Sequence, residues 1–244
     1  MAKKRLDVLL AERYPQYSRQ QIQSWIMQGK ARLDGHPLTK AGTMMAEDAV
    51  IEFIVEEPKY VSRAGFKLEK ALEHFTINVQ GLTCLDAGLS TGGFTDCLLQ
   101  HGARKIYGVE VGHGQTHEKI RTDVRVVILE HTNLRDLRDV GEKVDLITLD
   151  VSFISVLKLM DAVCALLKDT GQLIILIKPQ FEAQKHEVGK GGIVKAAGVH
   201  EDVIKRVTEG VIAHGFELVG VIESPITGTE GNKEFLAYFK RFAK

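Results

Sequence analysis

Lys178 closes the longest purely aliphatic run of the chain, Leu173-Ile-Ile-Leu-Ile177, and is followed by Pro179. Asp150 closes a second apolar stretch, Val144-Asp-Leu-Ile-Thr-Leu149. Charges that terminate buried strands belong at the end of a sheet, where a ligand sits. An ammonium and a carboxylate placed there can hold or move a proton. The plain alternative is a structural ion pair, which also occupies strand ends. Glu234 precedes Phe235-Leu-Ala-Tyr-Phe239, and Lys67 follows Ser62-Arg63-Ala-Gly65-Phe66. On pattern alone these two match ordinary solvated charges.

A second group of residues can hold a cofactor. The word Asp86-Ala-Gly88-Leu-Ser90-Thr91-Gly92-Gly93-Phe94 follows an apolar strand and opens a helix. Gly88 and Gly93 fit the first and third glycines of a dinucleotide loop, but the middle position is Ser90. The middle glycine lets backbone approach a pyrophosphate. Its absence argues against a nicotinamide or flavin dinucleotide and favours S-adenosylmethionine, which carries no phosphate. Glu110 stands 22 residues after Gly88 and can accept ribose hydroxyls of an adenosine. The bare alternative is a tight strand–helix turn. A metal finds no ligand set: His113 and His117 flank Gly114 without a third ligand. Cys84, Cys97 and Cys164 are odd in number and widely spaced, as expected of reduced thiols in a cytoplasmic protein.

These residues need a scaffold. Strands are predicted over Thr83–Ala87, Lys105–Val111, Arg125–Leu129, Val144–Asp150, Leu173–Lys178, Phe216–Ile222 and Phe235–Arg241. Helices fit Phe66–Phe75, Gly93–His101, Gln115–Arg121, Ile154–Leu167 and His200–His214. Such alternation makes an α/β fold, a Rossmann-like, mostly parallel seven-stranded sheet with helices on both faces. The ligand then lies at the carboxyl ends of the strands.

The first forty residues are different. They hold eight Lys or Arg against three acids, whereas residues 41–57 hold five acids and no base. This basic segment is hidden in a chain of 244 residues with zero formal charge. Leu6, Leu9 and Leu10 share one helical face. Ser18 with Gln21 forms a capping box ahead of Ile22, Trp25 and Ile26. Gly29 ends that helix, and Asp34-Gly35 marks a hairpin turn. Glu56-Glu57-Pro58-Lys59 reads as a linker, which divides the chain into residues 1–58, a small α+β unit, and 59–244. The aliphatic run of five residues is far below the ~20 that span a bilayer, and no signal peptide is evident.

Taken together, Lys67, Asp150, Lys178 and Glu234 resemble the lysine–aspartate–lysine–glutamate tetrad of the FtsJ-like ribose 2′-O-methyltransferases. The words Val61-Ser-Arg-Ala-Gly-Phe-Lys67-Leu, Asp86-Ala-Gly-Leu-Ser-Thr-Gly-Gly-Phe-Thr95, Asp150-Val-Ser-Phe-Ile-Ser155 and Lys178-Pro-Gln-Phe-Glu182 are similar to the TlyA branch. Arg5-Leu-Asp-Val-Leu9, Ser18-Arg19, Gly29-Lys30 and Asp34-Gly35 resemble the αL RNA-binding motif of the ribosomal protein S4 type. Glu110 departs from the branch, where Asp is expected.

The resemblance implies methyl transfer from S-adenosylmethionine to cytidine ribose in small- or large-subunit rRNA. It makes Lys178 the proton acceptor and Asp150 its orienting partner, with Lys67 and Glu234 completing the site. Asn133 and Asp150 join the loop residues as cofactor contacts. From the charge pattern, Arg19, Lys30 and Arg32 are the leading candidates for RNA contact, with Lys4, Arg5 and Arg13 behind them; Arg63 and Lys190, the latter on a loop able to close over the RNA backbone, complete the set. The loop around Lys190 reads equally as a plain connection. The main rival is a non-catalytic RNA-binding ribosome-assembly factor that keeps the fold. A membrane-lytic role, suggested by the hemolysin label this family often carries, finds no amphipathic or spanning segment.

Overall fold

A computed structural model describes residues 3–55, 58–228 and 231–242, apart from the Lys190 side chain. Glu56 and Glu57 of the expected linker lie outside the described residues. The chain packs as two units that divide between Pro58 and Lys59.

In the first unit, helices Leu6–Arg13 and Arg19–Met27 pack through Leu6, Leu10, Ile22 and Ile26, all inaccessible to solvent. The capping box forms: the Gln21 N–H donates to Ser18 Oγ, and the Ser18 N–H donates to Gln21 Oε1 at 2.9 Å. Strands Ala31–Leu33 and His36–Leu38 make the hairpin. Its turn residues Asp34 and Gly35 both have positive φ, 51° and 77°, the conformation an Asp-Gly hairpin turn requires. Two pairings were not foreseen: Lys3–Arg5 with Met44–Ala46, and Glu52–Phe53 with the hairpin.

The second unit is built on seven strands: β1 (Thr83–Ala87), β2 (Lys105–Val109), β3 (Val126–Leu129), β4 (Val144–Leu149), β5 (Leu167–Ile177), β6 (Phe216–Glu223) and β7 (Phe235–Arg241). They lie in the order β6-β7-β5-β4-β1-β2-β3. β7 runs antiparallel to both neighbours, and the remaining ladders from β5 to β3 are parallel. The helices are α1 (Ala64–His74), α2 (Gly93–Gln100), α3 (Glu118–Arg121), α4 (Met160–Leu166), α5 (Pro179–Glu182) and α6 (Ala197–Ala213). Successive strand residues point to opposite faces. Leu173, Ile175 and Ile177 therefore enter the core beneath α4 and α6, while Ile174 and Leu176 enter the core shared with α1 and α2.

Several boundaries differ from expectation: α6 starts at Ala197 rather than His200, and β2 stops at Val109 rather than Val111. The helix predicted over Ile154–Leu167 is a 3₁₀ turn, Val156–Leu159, followed by α4, because Ser155 Oγ caps the turn by accepting from the Leu157 N–H. β5 starts six residues before Leu173, with a register break against β4 between Leu167 and Gln172. The predicted helix from Gln115 begins only at Glu118, where His117 Nδ1 caps it by accepting from the Lys119 N–H. Among the described residues, no helix is long and apolar enough to cross a membrane.

Candidate active site

Sheet order and register bring the chemistry together. β4 lies between β1 and β5, with Leu149 paired to Ala87 on one side and to Ile175 on the other. The residues that follow these strands, Gly88, Asp150 and Lys178, thus emerge at one edge of the sheet. β7 runs the opposite way, and its first residue, Phe235, pairs with Ile177. Glu234 therefore arrives at that same edge. The chain direction reverses its progress across the sheet between β1 and β4, the switch point where open α/β sheets bind ligands.

Lys178 Nζ lies 2.6 Å from Asp150 Oδ1 and donates to Ser152 Oγ at 3.0 Å. Lys67 Nζ, from α1, lies 2.5 Å from Glu234 Oε2. Lys67 and Glu234 are buried, which sets aside the plain alternative of solvated surface charges. All four side chains line one cavity of about 350 Å³, together with Arg63, Thr91, Gly93 and Phe94. Each lysine carries its own carboxylate.

A second cavity of about 350 Å³ shares Gly88, Ser90, Asp150 and Ser152 with the first. Glu110 and Asn133 line it, against an apolar wall that includes Val111, Leu134 and Ile154. Glu110 accepts from the Ser90 N–H at 2.8 Å and the Gly112 N–H at 2.9 Å, one on each oxygen. This fixes the carboxylate and leaves lone pairs for ribose hydroxyls. The loop must be glycine at Gly88: φ is +85°, and a Cβ there would fall 2.3 Å from the Asp150 carbonyl oxygen. Among the described residues, the cavity is lined by Glu110 and Asp150 and by no Lys or Arg. A pyrophosphate would find no counter-charge there, whereas an uncharged adenosine fits an apolar slot ending in a carboxylate.

Not every predicted cofactor residue reaches that cavity. Asp86 lies beneath the loop, 1% exposed, accepting from Thr95 Oγ1 at 2.7 Å and Thr148 Oγ1 at 2.9 Å. Burial pushes its carboxyl up to about 6. Gly92 is buried against Ile120, and Thr91, Gly93 and Phe94 face the lysine-lined cavity instead. Sequence reasoning missed Phe153. It is 90% exposed, lines the Glu110 cavity, has a φ of 64° and packs on Phe181. An exposed aromatic held in a left-handed conformation is a mark of function that only the folded backbone reveals.

The six predicted RNA contacts of the first unit divide three ways. Lys4 is paired with Glu12 and Glu47, and Arg13 donates to the carbonyls of Glu47 and Ala49, so these two brace their own unit. Arg5 and Arg19 both grip the fully buried Asp7, which also accepts from Gln23 at 2.6 Å. The Arg5 hydrogen bonds, reinforced by Gln23 and Arg19, hold the Asp7 carboxyl well below the usual range. Lys30 and Arg32 have no side-chain hydrogen bond or ion pair among the described residues. The backbone at Lys190 forms a short 3₁₀ turn, and its side chain lies outside the described residues.

A family model described as FtsJ-like methyltransferase matches residues 60–241, and one described as S4 domain matches residues 4–51. The chain is 39% identical over 239 residues to the 16S/23S rRNA (cytidine-2′-O)-methyltransferase TlyA of Mycobacterium tuberculosis, covering 97% of this chain and 89% of that protein. It is 42% identical over 225 residues to Hemolysin A of Brachyspira hyodysenteriae, covering 91% and 93%. A solved chain from Streptococcus thermophilus, which also carries a hemolysin label, superposes with a TM-score of 0.76 at 37% identity. That match covers 100% of this chain and 90% of the other.

Proposed function

Because the chain belongs to the FtsJ-like methyltransferase family and carries an S4 domain ahead of the methyltransferase unit, we propose that it methylates ribose 2′-hydroxyls of cytidines in ribosomal RNA, as its relative's name describes. The observation that carries this reading is the Lys178–Asp150 pair, with Asp150 in the wall shared by the two cavities and Lys178 lining the one that also holds Lys67 and Glu234. The acidic, adenosine-shaped cavity takes the cofactor. The lysine-lined one takes the nucleotide.

S-adenosylmethionine, when bound, supplies a methyl group on a sulfonium whose sulfur keeps the C–S electron pair. Glu110 holds the ribose of the cofactor. Lys178, in its neutral form, accepts the 2′-hydroxyl proton as that oxygen forms its bond to carbon, and becomes the ammonium. Asp150 and Ser152 fix the Lys178 nitrogen by hydrogen bonds and meet the new charge. Lys67 and Glu234 form the opposing polar wall. Much of the rate comes from positioning, since attack requires the reacting atoms ~3–3.5 Å apart. Phe153 offers an exposed ring face to a base turned out of its stack.

The S4 unit holds the RNA through phosphates, with Lys30 and Arg32 as free cations and Arg5 and Arg19 as a fixed pair. Binding of this kind weakens steeply with salt. The test is transfer of labelled methyl groups to ribosomal subunits lacking the modification, with the product mapped by 2′-O-sensitive cleavage. Ribose methylation of a cytidine is expected. Methylation of a base would remove the Lys178 mechanism, and no transfer to either subunit would remove the substrate.

A further inference from the structure

Lys178 and Asp150 sit on two different loops, and a third residue fastens those loops together. One loop leaves β4 and carries Asp150, Ser152 and Phe153. The other is α5, the single helical turn that starts directly after Lys178. Glu182, the last residue of α5, reaches back to the first loop. Its Oε2 accepts from Ser155 Oγ at 2.7 Å, and its Oε1 accepts from the Val156 N–H at 2.8 Å. Phe153 and Phe181 pack between the ends, with ring centroids 4.9 Å apart. The cross-contacts therefore run in order: 150 and 152 with 178, 153 with 181, 155 and 156 with 182. From behind, Arg206 of α6 donates to the Glu182 carbonyl oxygen.

Resting on the methyltransferase reading above, we propose that Glu182 is a positioning residue for the Lys178–Asp150 pair, locking the 150–156 loop to the turn that begins at Lys178. Three observations support it. Glu182 lines neither cavity, so it acts through the residues it holds. Burial pushes its carboxyl above the ordinary range, against the opposing pull of the Val156 N–H and the Ser155 hydroxyl. A half-buried carboxylate is a costly way to fill space unless its hydrogen bonds are needed. Finally, Phe153 holds a left-handed backbone at the centre of the loop, a conformation that persists only where surrounding contacts impose it.

The test compares Glu182→Ala, Glu182→Gln and Ser155→Ala in the full-length protein. Hydrogen exchange is read without RNA, and kcat, KM and cofactor affinity are read with it. In Glu182→Ala the Val156 amide and its loop neighbours lose protection. The kcat falls by about 100-fold, the cost of misplacing reacting groups by about 1 Å, while cofactor affinity holds. Glu182→Gln keeps an oxygen for the Val156 N–H and an amide for Ser155 Oγ, so it recovers most of the rate. A merely structural role predicts instead a lower Tm with wild-type kcat per cofactor-binding site, and that result overturns the proposal. Equal losses of cofactor affinity and rate also overturn it. If Glu182→Ala does not fold, Ser155→Ala decides: a lower kcat with faster Val156 exchange supports the bracket, and no change in either overturns it. A wild type silent toward rRNA would overturn the substrate assignment alone, because the exchange measurement still tests the bracket.

Discussion

Lys178 Nζ stands 2.6 Å from Asp150 Oδ1 because β4 and β5 are parallel neighbours that end at the same edge of the sheet, Leu149 pairing with Ile175. The pair gives the site one amine at a fixed place. Lys178→Ala should lower kcat by about 10²–10⁴-fold, the usual worth of a positioned acid or base. Lys178→Arg should be as slow, because a guanidinium stays protonated and cannot take up the hydroxyl proton. Cofactor affinity, measured by calorimetry, should be unchanged in both. A loss of affinity matching the loss of rate would sink the assignment.

Lys67 and Glu234 make a different prediction. Their side chains are 8% and 3% exposed, and their ion pair is 2.5 Å long. Removing one partner strands a buried charge, which costs about 3–5 kcal/mol. Lys67→Met and Glu234→Gln should each lower stability by that order. The double variant should recover much of it, since no lone charge is left. Urea unfolding of the four proteins forms the cycle. Additive losses in the double variant would show that the two residues are not coupled.

Much of this site was legible because strand ends are legible. Leu173–Ile177 is wholly aliphatic and Val144–Leu149 mostly apolar, and each is followed by a charge, so Lys178 and Asp150 stand out. The loop from Gly88 to Gly93 is similarly exposed by composition. What the pattern lacked was pairing across distance. Lys67 and Glu234 are single charges separated by most of the domain, and only the antiparallel register of β7 joins them. Asp7, Glu182 and Phe153 were invisible for the same reason: their roles come from partners or backbone angles. Helix ends were missed where a side chain caps a short turn, at Ser155 and His117.

Asp7 offers a test in which two effects have opposite signs. Asp7→Asn removes a negative charge from the RNA-facing unit, so attraction alone predicts tighter binding to rRNA. Asp7 also fixes Arg5 and Arg19, each about half exposed, in one orientation. Losing that preorganisation predicts weaker binding and a shallower salt dependence, by about one phosphate contact. We expect the second to win, because a charge-assisted fork loses more than a screened surface charge gains. Filter binding across a salt series reads both. Tighter binding by Asp7→Asn would reduce the arginine pair to a surface ion-pair cluster.

Asp86 makes stability depend on pH in a defined direction. Its folded pKa is raised to about 6, chiefly by burial, against 3.8 for the ordinary side chain. A raised carboxyl favours folding below about 3.8, and that favour is lost as pH rises through about 6. Above pH 6 the wild type therefore carries a buried charge that Asp86→Asn lacks. The amide can still accept from one of Thr95 and Thr148 and donate to the other, whose hydroxyl can rotate. The variant should be more stable than wild type at pH 8, by up to about 3 kcal/mol. The gap should shrink to a small remainder as pH falls toward 4, where Asp86 is neutral in the folded state and the unfolded carboxyl nears its ordinary value of 3.8. Urea unfolding of both proteins from pH 4 to 8 measures the difference, in which the other acids cancel. A gap independent of pH would mean that the carboxyl does not titrate in this range and that the Thr95 and Thr148 hydroxyls already hold it ionised.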